Sequence, residues 1–278
     1  MKISIVTPSY KQPAWLRRAL ASVADQTGVE SEHIVQDACS GLEVVAVCQP
    51  YARARLFQEP DGGMYDAINK GWGRASGDIL CWLNCDEQYL PGTLAKVAQV
   101  FAANPAVDIV FGDVLLIRPD GALLAYRKSM PLRWPYVLAA HLYVPSCALF
   151  FRRRFFDAGF RFDTQWRAAG DADFVVRLLR AGYQARHLRT YLACFTQTGA
   201  NLGATVRATQ ERRQLLASAP LFVRLGRPVL CGLRWVEKLL QGCYRQAAPL
   251  EYDVYADDTL CQRQHRVAEH VSFRWQDA

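Results

Sequence analysis

The run Ile79-Leu80-Cys81-Trp82-Leu83 limits what this chain can fold into more than any other stretch. Its residues are apolar without interruption. That suits a strand covered on both faces, as strands of a parallel sheet are. The run stops at Asn84-Cys85-Asp86-Glu87. In an open α/β sheet, ligands sit beyond the carboxyl ends of the strands. Two carboxylates there are placed to hold a hard divalent cation, Mn²⁺ or Mg²⁺, through oxygen. The same acids also read as a polar loop ahead of a helix opened by Pro91, and this stretch alone does not choose between the two.

The preceding chain repeats the pattern. Ile3 to Val6 is a short apolar strand ending at Thr7-Pro8-Ser9-Tyr10, Ile34-Val35 begins a second that ends at Asp37, and Leu56-Phe57 marks a third. Leu16, Leu20 and Val23 recur at helical spacing behind Pro13, as do Leu94, Val97, Ala98 and Phe101 behind Pro91. Asp108 to Asp113 is a further buried strand, and Leu123 to Arg127 and Ala148 to Phe151 are two more. Strands alternating with helices predict βαβ units, an α/β fold with a mainly parallel central sheet flanked by helices. Tyr10 and Asp37 then share a rim with Asp86. A tyrosine ring there can stack on a base, and a carboxylate can accept from a base N–H. Taken singly, each reads as a surface tyrosine and a turn aspartate.

Composition narrows the class. At 278 residues with 51% hydrophobic, the chain can bury a large core. A net charge of +7 favours anionic partners: nucleic acid, a membrane surface or phosphorylated ligands. The nine cysteines contain no C-x-x-C, so neither a zinc ribbon nor a disulfide framework is indicated. A reducing cytoplasm fits them best. Met1-Lys2-Ile3-Ser4 runs directly into a strand, with no sign of a signal peptide. Trp134 to Phe151 carries no formal charge, but Pro135 and Pro145 interrupt it, and it does not read as membrane-spanning.

Two more stretches carry chemistry. Glu59-Pro60-Asp61-Gly62-Gly63 precedes a helix that reaches Gly71 or Gly73. A glycine-preceded helix start suits phosphate, and Lys70 adds a mobile positive charge. The G-x-G-x-x-G and G-K-[ST] patterns are both missing, and a plain helix cap by Asp61 is the simpler physical reading. Further on, Ala169-Gly170-Asp171-Ala172-Asp173-Phe174 opens a helix ended by Gly182. Acids at a helix start suit the macrodipole, and one of them could also be a general base.

In this order the pieces resemble a family 2 glycosyltransferase of the GT-A fold, of the bacterial branch that assembles surface polysaccharides and lipid-linked glycans. The matching stretches are Ser4 to Tyr10, His33 to Asp37, Glu59 to Gly71, Ala75 to Ile79, Leu83 to Glu87 and Ala169 to Phe174. The resemblance implies a catalytic domain over residues 1–204 and a C-terminal, mainly helical extension over 205–278. It implies that Thr7, Tyr10 and Asp37 form the pocket for the base of a nucleotide-sugar, with Asp61 and Lys70 beside the nucleotide and diphosphate. Asp86, with Glu87, matches the metal-holding D-x-D-like motif. Asp171 matches the catalytic base of an inverting transferase, and Asp173 a secondary position for acceptor or helix start. Three departures stand out. Glu87 replaces the usual Asp, Asn84 stands where some relatives carry another acid, and Ala38-Cys39-Ser40-Gly41-Leu42 lacks the second acid of its loop.

The implied partners are a nucleoside-diphosphate sugar and a glycan or lipid-linked acceptor. A sugar nucleotidyltransferase would want a glycine-rich basic loop after the first strand, which Thr7-Pro8-Ser9-Tyr10-Lys11 does not supply. A non-catalytic sugar-binding module has no need of Asp86, Glu87 and Asp171. No nucleic-acid motif is present. After Pro228, Val229, Leu233, Val236 and Leu240 repeat at helical spacing, with Arg234, Lys238 and Arg245 on the other side. That pattern reads either as peripheral contact with an anionic membrane at its cytoplasmic face, or as a helix packed on the domain with its basic side solvated.

Overall fold

A computed structural model gives the architecture and describes residues 1–199, 201–256 and 262–274. Strands β1 (Lys2–Ser9), β2 (Glu30–Asp37), β3 (Ala54–Gln58) and β4 (Ile79–Trp82) lie parallel in the order β3-β2-β1-β4. Helices α1 (Pro13–Ala24), α2 (Leu42–Cys48) and α3 (Met64–Arg74) make the crossovers. Every residue of β4 is buried, as its apolar run requires of a strand covered on both faces. α3 sits close on β1: a methyl on Gly71 would meet the Val6 side chain at 2.5 Å.

The second half of the sheet is mixed. β5 (Glu87–Tyr89) and α4 (Thr93–Ala103) lead to β6 (Ile109–Ile117), whose residues are all buried. β7 (Leu123–Arg127) pairs with the end of β6. After α5 (Trp134–Ala139), β8 (Leu149–Arg152) pairs with both β4 and the start of β6. Two helices, α6 (Arg154–Asp157) and α7 (Gly170–Arg180), precede β9 (Ala185–Thr196), which runs parallel to β6 and antiparallel to β5. β1, β2, β3, β4, β6 and β9 thus point one way, and β5, β7 and β8 the other. The result is the mixed α/β architecture of GT-A proteins.

An aromatic cluster fixes the helices that carry the site. Trp72 of α3 stacks on Phe162 at 5.1 Å, and Phe162 lies 4.4 Å from Phe174 of α7. Trp82 of β4 and Phe151 of β8 complete the contact beneath them at 5.8 Å. Rings of this size dominate burial energy, so α3 and α7 are held to one core rather than to each other's surfaces.

The C-terminal segment continues through α8 (Val206–Ala217), α9 (Leu221–Leu225) and α10 (Arg227–Leu240). Helix does not persist beyond Leu240, because Gly242 adopts φ +70° two residues later. An antiparallel pair follows instead, β10 (Leu250–Tyr255) with β11 (Arg263–Ala268), so the extension is part helix and part sheet. It is tied back to β5: the Tyr255 N–H donates to Gln88 Oε1 at 2.8 Å, and Gln88 Nε2 donates to the Tyr255 carbonyl at 2.9 Å. Among the described residues no helix is long and apolar enough to cross a membrane, and the cysteines are free.

Candidate active site

The carboxyl ends of β1 and β4, the turn before α3 and the start of α7 border one cleft of about 1060 Å³. Tyr10, Asp61, Asp86 and Asp171 all line it. Thr7, Asp37, Lys70, Glu87 and Asp173 do not, and each is engaged within the protein.

At the β1–β2 rim, Tyr10 is 58% exposed. Thr7 is buried, its hydroxyl 2.8 Å from His33 Nε2. The Asp37 carboxylate is buried too. It accepts from the Ser40 N–H at 2.7 Å, from the Ser40 hydroxyl at 2.6 Å and from Gln58 Nε2 at 3.1 Å. Asp37 therefore shapes the loop whose Ala38 reaches the cleft. Asp61 Oδ1 accepts from the Gly63 N–H at 2.8 Å, closing the turn that starts α3. Burial pushes the Asp61 carboxyl above the usual range. Lys70 clamps the same turn from behind. Its Nζ donates to the Pro60 carbonyl at 2.7 Å and pairs with Asp66 at 3.2 Å.

At the end of β4 the two neighbouring acids divide. Asp86 faces the cleft, where Asn201 Nδ2 donates to it at 3.1 Å. Glu87 is fully buried behind it, accepting from the Asn84 N–H at 2.8 Å and the Ser146 hydroxyl at 3.0 Å. Burial pushes both carboxyls up, and the Asp86 charge adds to the effect on Glu87. Among the described residues no basic side chain pairs with either. Asn84, which also lines the cleft, leaves its buried Oδ1 without a hydrogen-bond partner. An orphaned amide oxygen beside an unneutralised carboxylate is the donor set a hard divalent cation takes. The residues present fit Mg²⁺ or Mn²⁺. Among the described residues no cluster of three His, Cys, Asp or Glu exists, so a cation at Asp86 would draw its other oxygens from amide, water or ligand.

At the start of α7, Asp171 is partly open to the cleft. Its Oδ1 accepts from the Ala172 N–H at 2.8 Å, and the Tyr65 hydroxyl accepts from the Asp171 N–H at 3.2 Å. Burial pushes its carboxyl up to about 6 against these hydrogen bonds. Asp173 turns away and accepts from Arg177 Nε at 2.8 Å. His141 also lines the cleft. Burial, with Arg234 and Lys238 nearby, drives it down to about 4, and Arg234 Nη2 stands 2.8 Å from its Nε2. The higher pKa makes Asp171 the stronger base of the two.

Several contributors are not evident from local sequence patterns. Tyr65 reaches the helix start because residue 170 is glycine; a methyl there would lie 2.5 Å from its ring. Glu211, on α8, accepts from the backbone N–H groups of Arg167, Ala168 and Ala169 at 2.8–3.1 Å and so fixes the approach to Asp171. Arg167 packs against Gly63, where a methyl would meet its guanidinium, and it lines the cleft. Only the glycines on either side of these groups hinted at the close approach.

The family model described as glycosyl transferase family 2 matches residues 4–167. A PGL/p-HBAD biosynthesis glycosyltransferase of Mycobacterium tuberculosis is 27% identical over 234 residues, 80% of this chain and 87% of the relative. An uncharacterized glycosyltransferase of the same species is 32% identical over 182 residues, 63% of this chain and 68% of the relative. In three dimensions, S. aureus TarS 1-349 in complex with UDP-GlcNAc aligns with a TM-score of 0.59 and 15% identity over 98% of this chain and all of its own. The mannosyltransferase PcManGT of Pyrobaculum calidifontis, in complex with GDP-Man and Mn2+, aligns with a TM-score of 0.58 and 16% identity over 88% of this chain and 76% of its own.

Proposed function

Since the chain belongs to glycosyl transferase family 2 and is a glycosyltransferase, we propose that it moves a sugar, with inversion, from a nucleoside-diphosphate donor to a hydroxyl of a glycan or lipid-linked acceptor. The observation that carries this reading is the meeting of Asp86 and Asp171 in one cleft, the first without a cationic partner among the described residues and the second pushed up by burial to about 6.

Each residue has a physical task. Tyr10 offers an exposed ring on which a base can stack, while Thr7 and Asp37 hold the rim behind it. Asp61 and Lys70 fix the turn beside the diphosphate, and Arg167 offers a guanidinium in the cleft. Asp86, with Asn84, would hold the divalent cation, and Glu87 would support the backbone between them. When bound, the cation supplies charge neutralisation for the departing diphosphate. Asp171 takes the proton of the acceptor hydroxyl as its oxygen attacks the anomeric carbon on the face opposite the leaving group. The new C–O bond forms as the sugar–phosphate bond breaks, and the configuration inverts. Contact with an anionic membrane surface, at its cytoplasmic face, would bring the enzyme to its acceptor in surface-polysaccharide synthesis.

Calorimetric titration of nucleoside diphosphate with and without Mn²⁺, on wild type and Asp86→Ala, tests the reading. Wild type should bind in a metal-dependent way, and the variant should lose that dependence. Equal metal dependence in both proteins would remove Asp86 from the site.

A further inference from the structure

α10 is inverted relative to an ordinary surface helix. Its polar side chains turn inward. Arg227 donates to the Ala139 carbonyl at 2.9 Å, Glu237 accepts both Nε and Nη2 of Arg133, and Arg234 lies over the Tyr143 ring at 5.2 Å. Its apolar side chains turn outward: Val229, Leu233, Val236 and Leu240 are 44–80% exposed, and Trp235 and Leu239 flank them. No residue of α10 is buried. α9 continues the surface with Leu221, Phe222 and Leu225, 57–74% exposed. A contiguous apolar face of this kind marks an interaction site.

We propose that the α9–α10 face docks on the surface of a bilayer containing anionic lipid. The charges select this occupant. From Leu221 to Arg245 the exposed charged residues are Arg224 and Arg245, with Arg227 exposed but bonded to the Ala139 carbonyl, and the only acid, Glu237, is tied to Arg133. A basic rim around an apolar stripe matches an anionic interface. A second copy would set arginine against arginine with no acid to answer. At 14 residues, α10 is about 21 Å long by its rise, too short to span, so it lies in the plane of the interface.

The helix has a second side. Lys238, on the inward face, lines the catalytic cleft, so α10 is a wall with bilayer on one side and cleft on the other. Docking therefore sets the cleft at headgroup depth, where a lipid-linked hydroxyl is presented. This last step rests on the transferase reading above; the docking does not.

Flotation of the full chain with phosphatidylcholine vesicles, and with equal parts phosphatidylcholine and phosphatidylglycerol, tests it at low and high salt. Wild type should float with the mixed vesicles and fall away with salt. The V229E/L233E/V236E variant should bind at least about tenfold less, with unchanged melting temperature and nucleoside-diphosphate binding. Because that variant adds three charges, a milder one accompanies it. Quenching of tryptophan fluorescence by brominated lipid should be strong in wild type and reduced in Trp235→Phe. Wild type that does not float, a triple variant that floats equally, or a dimer in sedimentation that the triple variant breaks would each overturn the docking. Metal-dependent donor binding on the same samples reports separately on the transferase reading.

Discussion

Asp86 and Glu87 adjoin in sequence, Asp171 and Asp173 nearly do, and the cleft takes one member of each pair. The reasons differ. Asp86 stands in the turn ahead of β5, closed by the Glu87 N–H donating to the Asn84 carbonyl at 3.1 Å, so it emerges at the rim while Glu87, the first residue of the buried strand, turns into the protein. At a helix start, two positions amount to about 200° of rotation, so Asp171 faces the cleft and Asp173 faces Arg177. The inward members also differ in what they hold. Glu87 is the fully buried acceptor for a backbone N–H and a serine hydroxyl, whereas Asp173 is half of an i,i+4 ion pair near the surface. Neighbouring carboxylates are therefore not interchangeable in what their loss should cost.

The sharpest way to break the contrast is at its reactive end. Asp171→Asn is nearly isosteric and should cut transfer by roughly 10²–10⁴-fold while leaving donor binding intact. Single-turnover product formation beside donor titration decides it; near-normal turnover would move the base elsewhere. In wild type, turnover should climb with pH through about 6, because the base must be ionised. Stability carries the same sign. The folded pKa lies above the unfolded one, so the favourable contribution of the protonated group is present below the unfolded value and is lost as pH rises through 6. Asp171→Asn should then be more stable than wild type by about 1–2 kcal/mol at pH 8, with the gap closing toward pH 4. Urea midpoints at the two pH values would show it.

A smaller effect separates the inward members. Glu87→Ala strands the Asn84 N–H and the Ser146 hydroxyl in a buried site and should cost about 1–3 kcal/mol in denaturant unfolding. Asp173→Asn gives up one partly exposed ion pair, so a loss of about 1 kcal/mol or less is expected, with turnover within a few-fold of wild type. If Asp173→Asn proved the more damaging of the two, the division of the pairs described here would be wrong.

Much of the sheet is legible because its strands are apolar enough to announce themselves, β4 and β6 above all. β9 is not, since Arg186, His187 and Arg189 interrupt any apolar run over its first half. The β10–β11 pair is equally quiet: β10 alternates apolar and polar over only six residues, β11 opens on four polar ones, and the pair's place is set by the distant Gln88. In the cleft, Asp86 and Asp171 declare themselves by position at a strand end and a helix start. Glu211 cannot, because its three N–H partners lie more than forty residues away. For α10, periodicity groups Val229, Leu233, Val236 and Leu240 on one face, yet it carries no sign for inside or outside. Only the partners of Arg133 and His141 decide that the polar face is the inner one.

The contact between Tyr65 and Gly170 has a consequence for lineage rather than for chemistry. Since a single methyl at position 170 would collide with the ring, the two sites must drift together or not at all. A descendant that gains any side chain at 170 has to surrender the phenol at 65, and with it the link from the start of α3 to the start of α7. An engineer who wants to retune the setting of Asp171 thus has a paired exchange at hand, in which the smaller residue is the one that grants the larger its place.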